Sequence, residues 1–182
     1  MYLSLCGKED TKLTGAQKGT LLHLCMQKLE EKKEYDVKAI GELIKELQKK
    51  EIITKKEAEN INAKAILKFT ESRIWKEMKQ AKQIQKEKPF YMTIPAKEIY
   101  QEEVEEDILV QGIIDLYYIN QKDEVVLVDY KTDFVETEEE LINKYKKQLR
   151  LYQMALEEAL GQKVKNVFIY STFLGKTIEV LK

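Results

Sequence analysis

The sequence predicts an α/β fold, with helices in the first half and a sheet flanked by helices in the second. Three observations predict it. Apolar residues recur at helical spacing up to about residue 80, and two runs rich in β-branched and aromatic residues then follow, Ile113 to Tyr117 and Val125 to Tyr130. A long amphipathic segment, Thr137 to Leu160, separates them from two last strand-like runs.

Residues 1 to 12 read as a short tail. From Thr14, a plausible N-cap, a helix carries Leu21, Leu22, Cys25, Met26 and Leu29 as a buried stripe, with His23 near it. Asp36 caps a second helix through Val37, Ile40, Leu43, Ile44 and Leu47. Thr54 and Glu57 form a capping box for a third helix, in which Ala58, Ile61, Ala65, Ile66 and Phe69 keep helical spacing. Glu71 to Ala81 makes a further short helical piece. Pro89 to Pro95 reads as a strand leading into Ala96 to Tyr100, and the acidic run Glu102 to Asp107 reads as a solvated loop. Ile108 to Asp133 is a hairpin turning at Asn120-Gln121-Lys122-Asp123. After it comes the helix Thr137 to Leu160, ended by Gly161, with Leu141, Tyr145, Gln148, Tyr152 and Ala155 near one side. Strands at Val164 to Phe173 and Lys176 to Leu181, joined through Gly175, complete the chain.

At 182 residues the chain is long enough for one domain with a full core. Its 31 basic and 32 acidic residues leave a net charge of −1, so any contact with a polyanion must be local. Two cysteines, Cys6 and Cys25, fit neither a disulfide framework nor a four-thiolate metal site. No apolar run approaches the ~20 residues that span a bilayer. The expectation is a soluble, cytoplasmic protein without membrane contact.

The hairpin carries the chemistry. Asp115 and Asp129 each interrupt an apolar strand, where a carboxylate is costly to bury unless paired or bound to a metal. Side chains alternate along a strand, so Asp129 and Lys131 share one face and Tyr130 takes the other. Two such aspartates beside an ammonium make an anionic pocket of hard oxygen ligands suited to Mg²⁺ or Mn²⁺. A buried ion pair, or carboxylates solvated at a sheet edge, fits an isolated D-x-K equally well. His23 is the sole histidine, and a lone helical histidine is as a rule a packed or surface residue.

These residues, in their order, resemble a known family. Gly112-Ile113-Ile114-Asp115 with Asp129-Tyr130-Lys131 looks like the nuclease core of the PD-(D/E)XK superfamily. Lys18-Gly19-Thr20-Leu21-Leu22-His23, Glu71-Ser72-Arg73-Ile74-Trp75, Lys88-Pro89-Phe90 and Gln148-Leu149-x-Leu151-Tyr152 narrow the resemblance to the C-terminal nuclease domains of AddA/RecB-type helicase-nuclease subunits. It runs from about Leu13 to the C-terminus. The resemblance implies a restriction-endonuclease-like mixed sheet flanked by helices. Residues 1–82 would form the helical part carrying the histidine motif, and 83–182 the nuclease core, within one compact domain. It further implies that His23, Asp115, Asp129 and the Tyr130 carbonyl hold the metal, that Asp115, Asp129 and Lys131 are catalytic, and that Gln148 and Tyr152 contact DNA or brace the lysine.

The expected function is therefore a Mg²⁺- or Mn²⁺-dependent DNA exonuclease acting on single strands or unwound duplex ends. Its implied partners are helicase domains of the same polypeptide together with an AddB-like protein, and its implied role is double-strand break processing and recombinational repair. The chain holds no G-x-x-x-x-G-K-[ST] loop and so no ATP site, and two cysteines cannot hold the iron–sulfur cluster of some related nucleases. A competing expectation is a nuclease-like module that binds DNA or docks on a helicase without cutting.

Overall fold

Short polar side chains start the helices. Thr14 and Thr54 close capping boxes with Gln17 and Glu57, while Asp36, Asn62, Ser72 and Thr137 each accept a backbone N–H three residues on. Each such cap contributes about 1 kcal/mol. The computed structural model describes residues 12–96 and 106–181. In order they form α1 (Gly15–Gln27), α2 (Val37–Lys49), α3 (Lys55–Asn60), α4 (Ala63–Thr70), α5 (Arg73–Met78), β1 (Gln83–Pro95), β2 (Asp107–Ile119), β3 (Val125–Lys131), α6 (Glu138–Leu160), β4 (Val164–Ser171) and β5 (Lys176–Leu181).

Two expectations need correction. The helix expected from Thr54 through Phe69 is two helices, α3 and α4, because Ile61 leaves α3 in an extended conformation. Asn62 then caps α4 by accepting the Ala65 N–H at 3.1 Å, and such a side chain competes with a continuing helix for backbone partners. The strand expected at Pro89 begins six residues earlier, at Gln83, because β1 pairs with β2 back to Ile119. The expected tail up to residue 11, the segment 97–100 and the acidic residues 102–105 lie outside the described residues.

The sheet runs β1-β2-β3-β4-β5. β3 and β4 are parallel, joined across the sheet by α6, and the other neighbours are antiparallel. Its two faces bury two cores. On one, α1, α2, α4 and α5 pack against Leu116, Tyr118, Val126, Val128, Tyr130, Phe168 and Tyr170. On the other, α6 covers Tyr117, Val125, Leu127, Val167 and Ile169.

Strand residues two apart normally share a face, yet Ile114 belongs to the α6 core and Leu116 to the helical core. β1 makes the same exchange, since Ile84 packs with the helices and Phe90 with α6. Between them lies Glu87, with φ +51°, an unusual value for a residue with a side chain. It stands opposite Asp115 in the register, where the run of paired residues is broken between Lys86↔Leu116 and Lys88↔Ile114. The β1–β2 ribbon thus changes sides at the Glu87–Asp115 level, and this places two carboxylates at the turning point.

Phe69 links the helical half to β3 and β4. It is fully buried and meets Trp75, Tyr130 and Tyr170 edge-on, at centroid distances of 5.7, 5.2 and 4.9 Å. Phe69→Ala is expected to cost about 3–5 kcal/mol of unfolding free energy, read as a lower urea midpoint with an unchanged slope.

Candidate active site

β2 and β3 pair only from Leu116↔Val128 to Ile119↔Val125. Beyond that the strands part, and Asp115 occupies the gap. Its Oδ2 accepts the Tyr130 N–H at 2.7 Å, and its Oδ1 lies 3.3 Å from His23 Nδ1. The other ring nitrogen of His23, Nε2, is 3.1 Å from the Tyr130 carbonyl oxygen. One side chain of α1 is thereby held between a β2 carboxylate and the β3 backbone.

Gly19 explains how α1 comes so close. A Cβ built there would stand 3.1 Å from Thr132 Oγ1, just past the end of β3. Glycine removes that obstruction, and His23, one helical turn further, reaches Asp115.

Asp129 and Lys131 share the α6 side of β3, as strand alternation predicts. Asp129 is 2 % exposed, with the Lys131 Nζ 2.6 Å from its Oδ2. The ammonium also stands 4.2 Å from the centroid of the Tyr145 ring, within cation–π range. The Tyr145 hydroxyl donates to Asp133. One turn on along α6, Gln148 Nε2 donates to the Tyr152 hydroxyl at 2.8 Å, and the Tyr152 ring meets Phe90 edge-on at 5.3 Å. Gly112 makes this crossing possible, because a Cβ there would fall 2.7 Å from the Phe90 ring.

The electrostatics bind these groups into one cluster. Burial, the Asp115 charge and weaker opposition from Lys131 and His23 push the Asp129 carboxyl up to about 6. Burial alone would lower His23, but its hydrogen bond to Asp115 and the charges of Asp115, Asp129 and Glu87 together raise it above its ordinary 6.5. Glu87 is raised by burial and by Asp115. Tyr152 is raised by burial, with Asp129 and Asp115 adding to it, so its hydroxyl feels the same negative field. A doubly protonated imidazole would satisfy both of its facing acceptors.

His23, Glu87 and Asp115 each bring one ligand atom into a group lying within 4.8 Å of one another. Two carboxylates and an imidazole, with the buried Asp129 on the adjoining strand, are the donor set of a divalent-cation site. The residues singled out in the sequence all fall around this region of the fold: His23, Asp115 and the Tyr130 backbone in mutual contact, Asp129 with Lys131, and Gln148 with Tyr152. Two neighbours escape sequence reasoning. Glu87 sits in the charged stretch Lys82 to Lys88, and only its place opposite Asp115 marks it. Tyr145 reads as one more apolar-stripe residue of α6, and its spacing from Gln148 and Tyr152 is the sole hint.

A kinked mixed sheet with paired aspartates, a strand lysine and a helix-borne histidine defines the nuclease core of the restriction-endonuclease-like class. The profile of the PD-(D/E)XK nuclease superfamily matches residues 2–178, and the chain belongs to that superfamily. Its members use divalent metals. Among curated relatives, the AddA protein of the ATP-dependent helicase/nuclease of Clostridium novyi (strain NT) is 38% identical over 180 residues, covering 95% of this chain. The corresponding protein of Thermoanaerobacter sp. (strain X514) is 39% identical over 173 residues, 92% of the chain, and that of Clostridium botulinum (strain Loch Maree / Type A3) is 38% identical over 177 residues, 94% of the chain. The chain spans only 14% of the length of each of these relatives.

The Gly19–Thr132 contact and the Asp115 carboxylate make a joint prediction for the one histidine. Its ring-proton NMR titration is expected to give a value above 6.5 in the parent protein, below the parent's in Asp115→Asn, and closer to 6.5 in Gly19→Val, where α1 is forced away from Thr132. An unchanged titration in both variants would remove the contact from the account.

Proposed function

We propose that the chain is a divalent-metal-dependent DNA exonuclease domain that hydrolyses phosphodiester bonds within a helicase–nuclease assembly. The observation that carries this reading is the convergence of His23, Glu87 and Asp115 on one point, beside the buried Asp129–Lys131 pair. His23, Asp115, Asp129 and the Tyr130 carbonyl would hold Mg²⁺ or Mn²⁺, with Glu87 as a further carboxylate. The imidazole is a softer donor than Mg²⁺ prefers, which favours Mn²⁺ in affinity. The cation supplies a water acidified toward neutral pH and offsets the charge of the phosphate.

The chain's own residues do the rest. Asp115 divides its work between its two oxygens. One fixes the Tyr130 peptide and thereby the direction of its carbonyl, and the other orients His23. Asp129 anchors the Lys131 ammonium, and the Tyr145 ring backs it, so the cationic head is held without a second long side chain having to order. From there Lys131 orients the attacking water and offsets charge developing on the phosphate. Gln148 and Tyr152, coupled amide to hydroxyl, contact the DNA backbone or brace the lysine.

The relatives are named as ATP-dependent helicase/nucleases, which supports a setting in which ATP-driven domains of a longer polypeptide, with a second component of AddB type, feed an unwound strand to this domain. The reading includes a cytoplasmic location and a role in double-strand break processing and recombinational repair. Among the described residues no helix is long and apolar enough to cross a membrane.

The test is digestion of end-labelled single-stranded and duplex DNA with Mg²⁺ or Mn²⁺. Asp129→Ala and Lys131→Ala are each expected to lower the rate by about 10²-fold or more with an unchanged circular dichroism spectrum. Cleavage surviving both changes refutes the site. The pH dependence has a fixed sign. His23 must free a ring nitrogen and the Asp129 carboxyl, held near 6, must ionise before either binds a cation. Apparent Mn²⁺ affinity and cleavage are therefore expected to rise with pH through 6 and level off only above the raised His23 value.

A further inference from the structure

Phe134 and Phe173 are exposed aromatic side chains, at 77% and 50% of their free area, and their rings pack together with centroids 4.6 Å apart. The nuclease chemistry uses neither. Phe134 lies three residues past Lys131, in the loop leaving β3. Phe173 lies in the turn between β4 and β5, next to Thr172, whose N–H and hydroxyl both bond to the Lys131 carbonyl, at 2.9 and 3.2 Å. The two rings therefore ride on the same stretch of backbone that presents Lys131.

Phe173 also forms one wall of a cleft of about 220 Å³, whose other walls include Lys18, Asn60, Asn62, Thr132 and Thr172. This lining is polar and offers donors. Lys18 makes no ion pair among the described residues, and Asn62 spends its side-chain oxygen on the α4 cap, leaving its NH₂ group uncommitted. Thr132 is the residue that abuts Gly19 on α1, so the cleft adjoins the helix carrying His23.

A large apolar ring left in water is a cost unless something stacks on it. A solvent-facing aromatic pair beside a donor-lined cleft with an unpaired cation matches a polymer with flat π-faces on one side and anionic oxygens on the other. Single-stranded DNA is that polymer: unstacked bases stack on aromatic rings irrespective of sequence, while a cationic groove follows the phosphates. Duplex DNA keeps its bases stacked and offers no such faces.

We propose that Phe134 and Phe173 form a base-stacking platform for single-stranded DNA, with the Lys18–Asn62 cleft taking the adjoining phosphate, so that the strand is held unstacked as it passes Lys131. The platform rests on the nuclease reading and adds to it a strand path and a preference for single strands.

The experiment measures binding of fluorescein-labelled oligo(dT) and of an abasic strand of equal length, by anisotropy in Ca²⁺, and cleavage of both in Mg²⁺, by the full chain. Parent protein is expected to bind oligo(dT) more tightly than the abasic strand by about tenfold or more, the scale of a lost base–aromatic stack. Phe134→Ala/Phe173→Ala is expected to erase that difference by weakening oligo(dT) alone, and Phe134→Trp/Phe173→Trp to retain it. Lys18→Ala is expected to weaken both strands alike and to flatten the salt dependence. If the double alanine variant binds and cuts oligo(dT) like the parent, or weakens both strands equally, the platform is overturned while the nuclease reading stands. If the parent neither binds nor cuts oligo(dT), both fall together. Thermal melting of each variant shows whether the exposed positions leave the fold intact.

Discussion

The hydrogen bond from the Tyr130 N–H to the Asp115 carboxylate is the constraint on which the site depends. It forms where β2 and β3 cease to pair, and it replaces with a side chain the backbone acceptor that β3 loses there. A backbone N–H left without an acceptor in this buried place would cost roughly 1–3 kcal/mol, so the carboxylate is held firmly. Once it is, its second oxygen can face only outward from the strand gap, toward α1. The parting of the strands, the position of Asp115 and the reach of His23 are one structural event.

The rest of the fold brings partners to that point. The face exchange of the β1–β2 ribbon puts Glu87 across from Asp115, at a backbone conformation that costs energy for a residue with a side chain. Strain of this kind persists where the surroundings over-determine it, and here two long ladders on either side of the kink do so. Gly19 lets α1 lie against Thr132, and Gly112 lets Phe90 and Tyr152 cross. The Asp129 carboxylate, nearly without solvent, is matched by Lys131, which α6 supports through Tyr145. Three acids near one histidine form a concentrated negative charge, and the raised values of His23, Glu87 and Asp129 record its tension. A divalent cation is the species that relieves such a field most completely.

Much of this is legible in the residues. The two-residue period of a strand sets Asp129 and Lys131 on one side and Tyr130 on the other, and the caps at Thr14, Asp36 and Thr54 announce their helices because a short polar side chain before an apolar stripe has little else to do. The four-residue spacing of Gln148 and Tyr152 likewise puts them on one face of α6, where they bond to each other. Glu87 is not legible, since a glutamate between lysines reads as a solvated face until the register of a neighbouring strand is known. The break between α3 and α4 is hidden for a related reason: periodicity continues through Ile61, and only the local competition of the Asn62 side chain stops the helix. Tyr145 illustrates a third limit, because a tyrosine on an apolar stripe does not disclose that its ring backs a cation.

The central claim is that the helical half and the sheet ligate the same ion through one imidazole and the neighbouring acids. Because His23 is the only histidine in the chain, Mn²⁺ electron–nuclear double resonance on untagged, ¹⁵N-histidine-labelled protein tests it without ambiguity. A single ¹⁵N coupling that vanishes in His23→Gln is the predicted result. Tight Mn²⁺ binding with no histidine nitrogen coupling would contradict it.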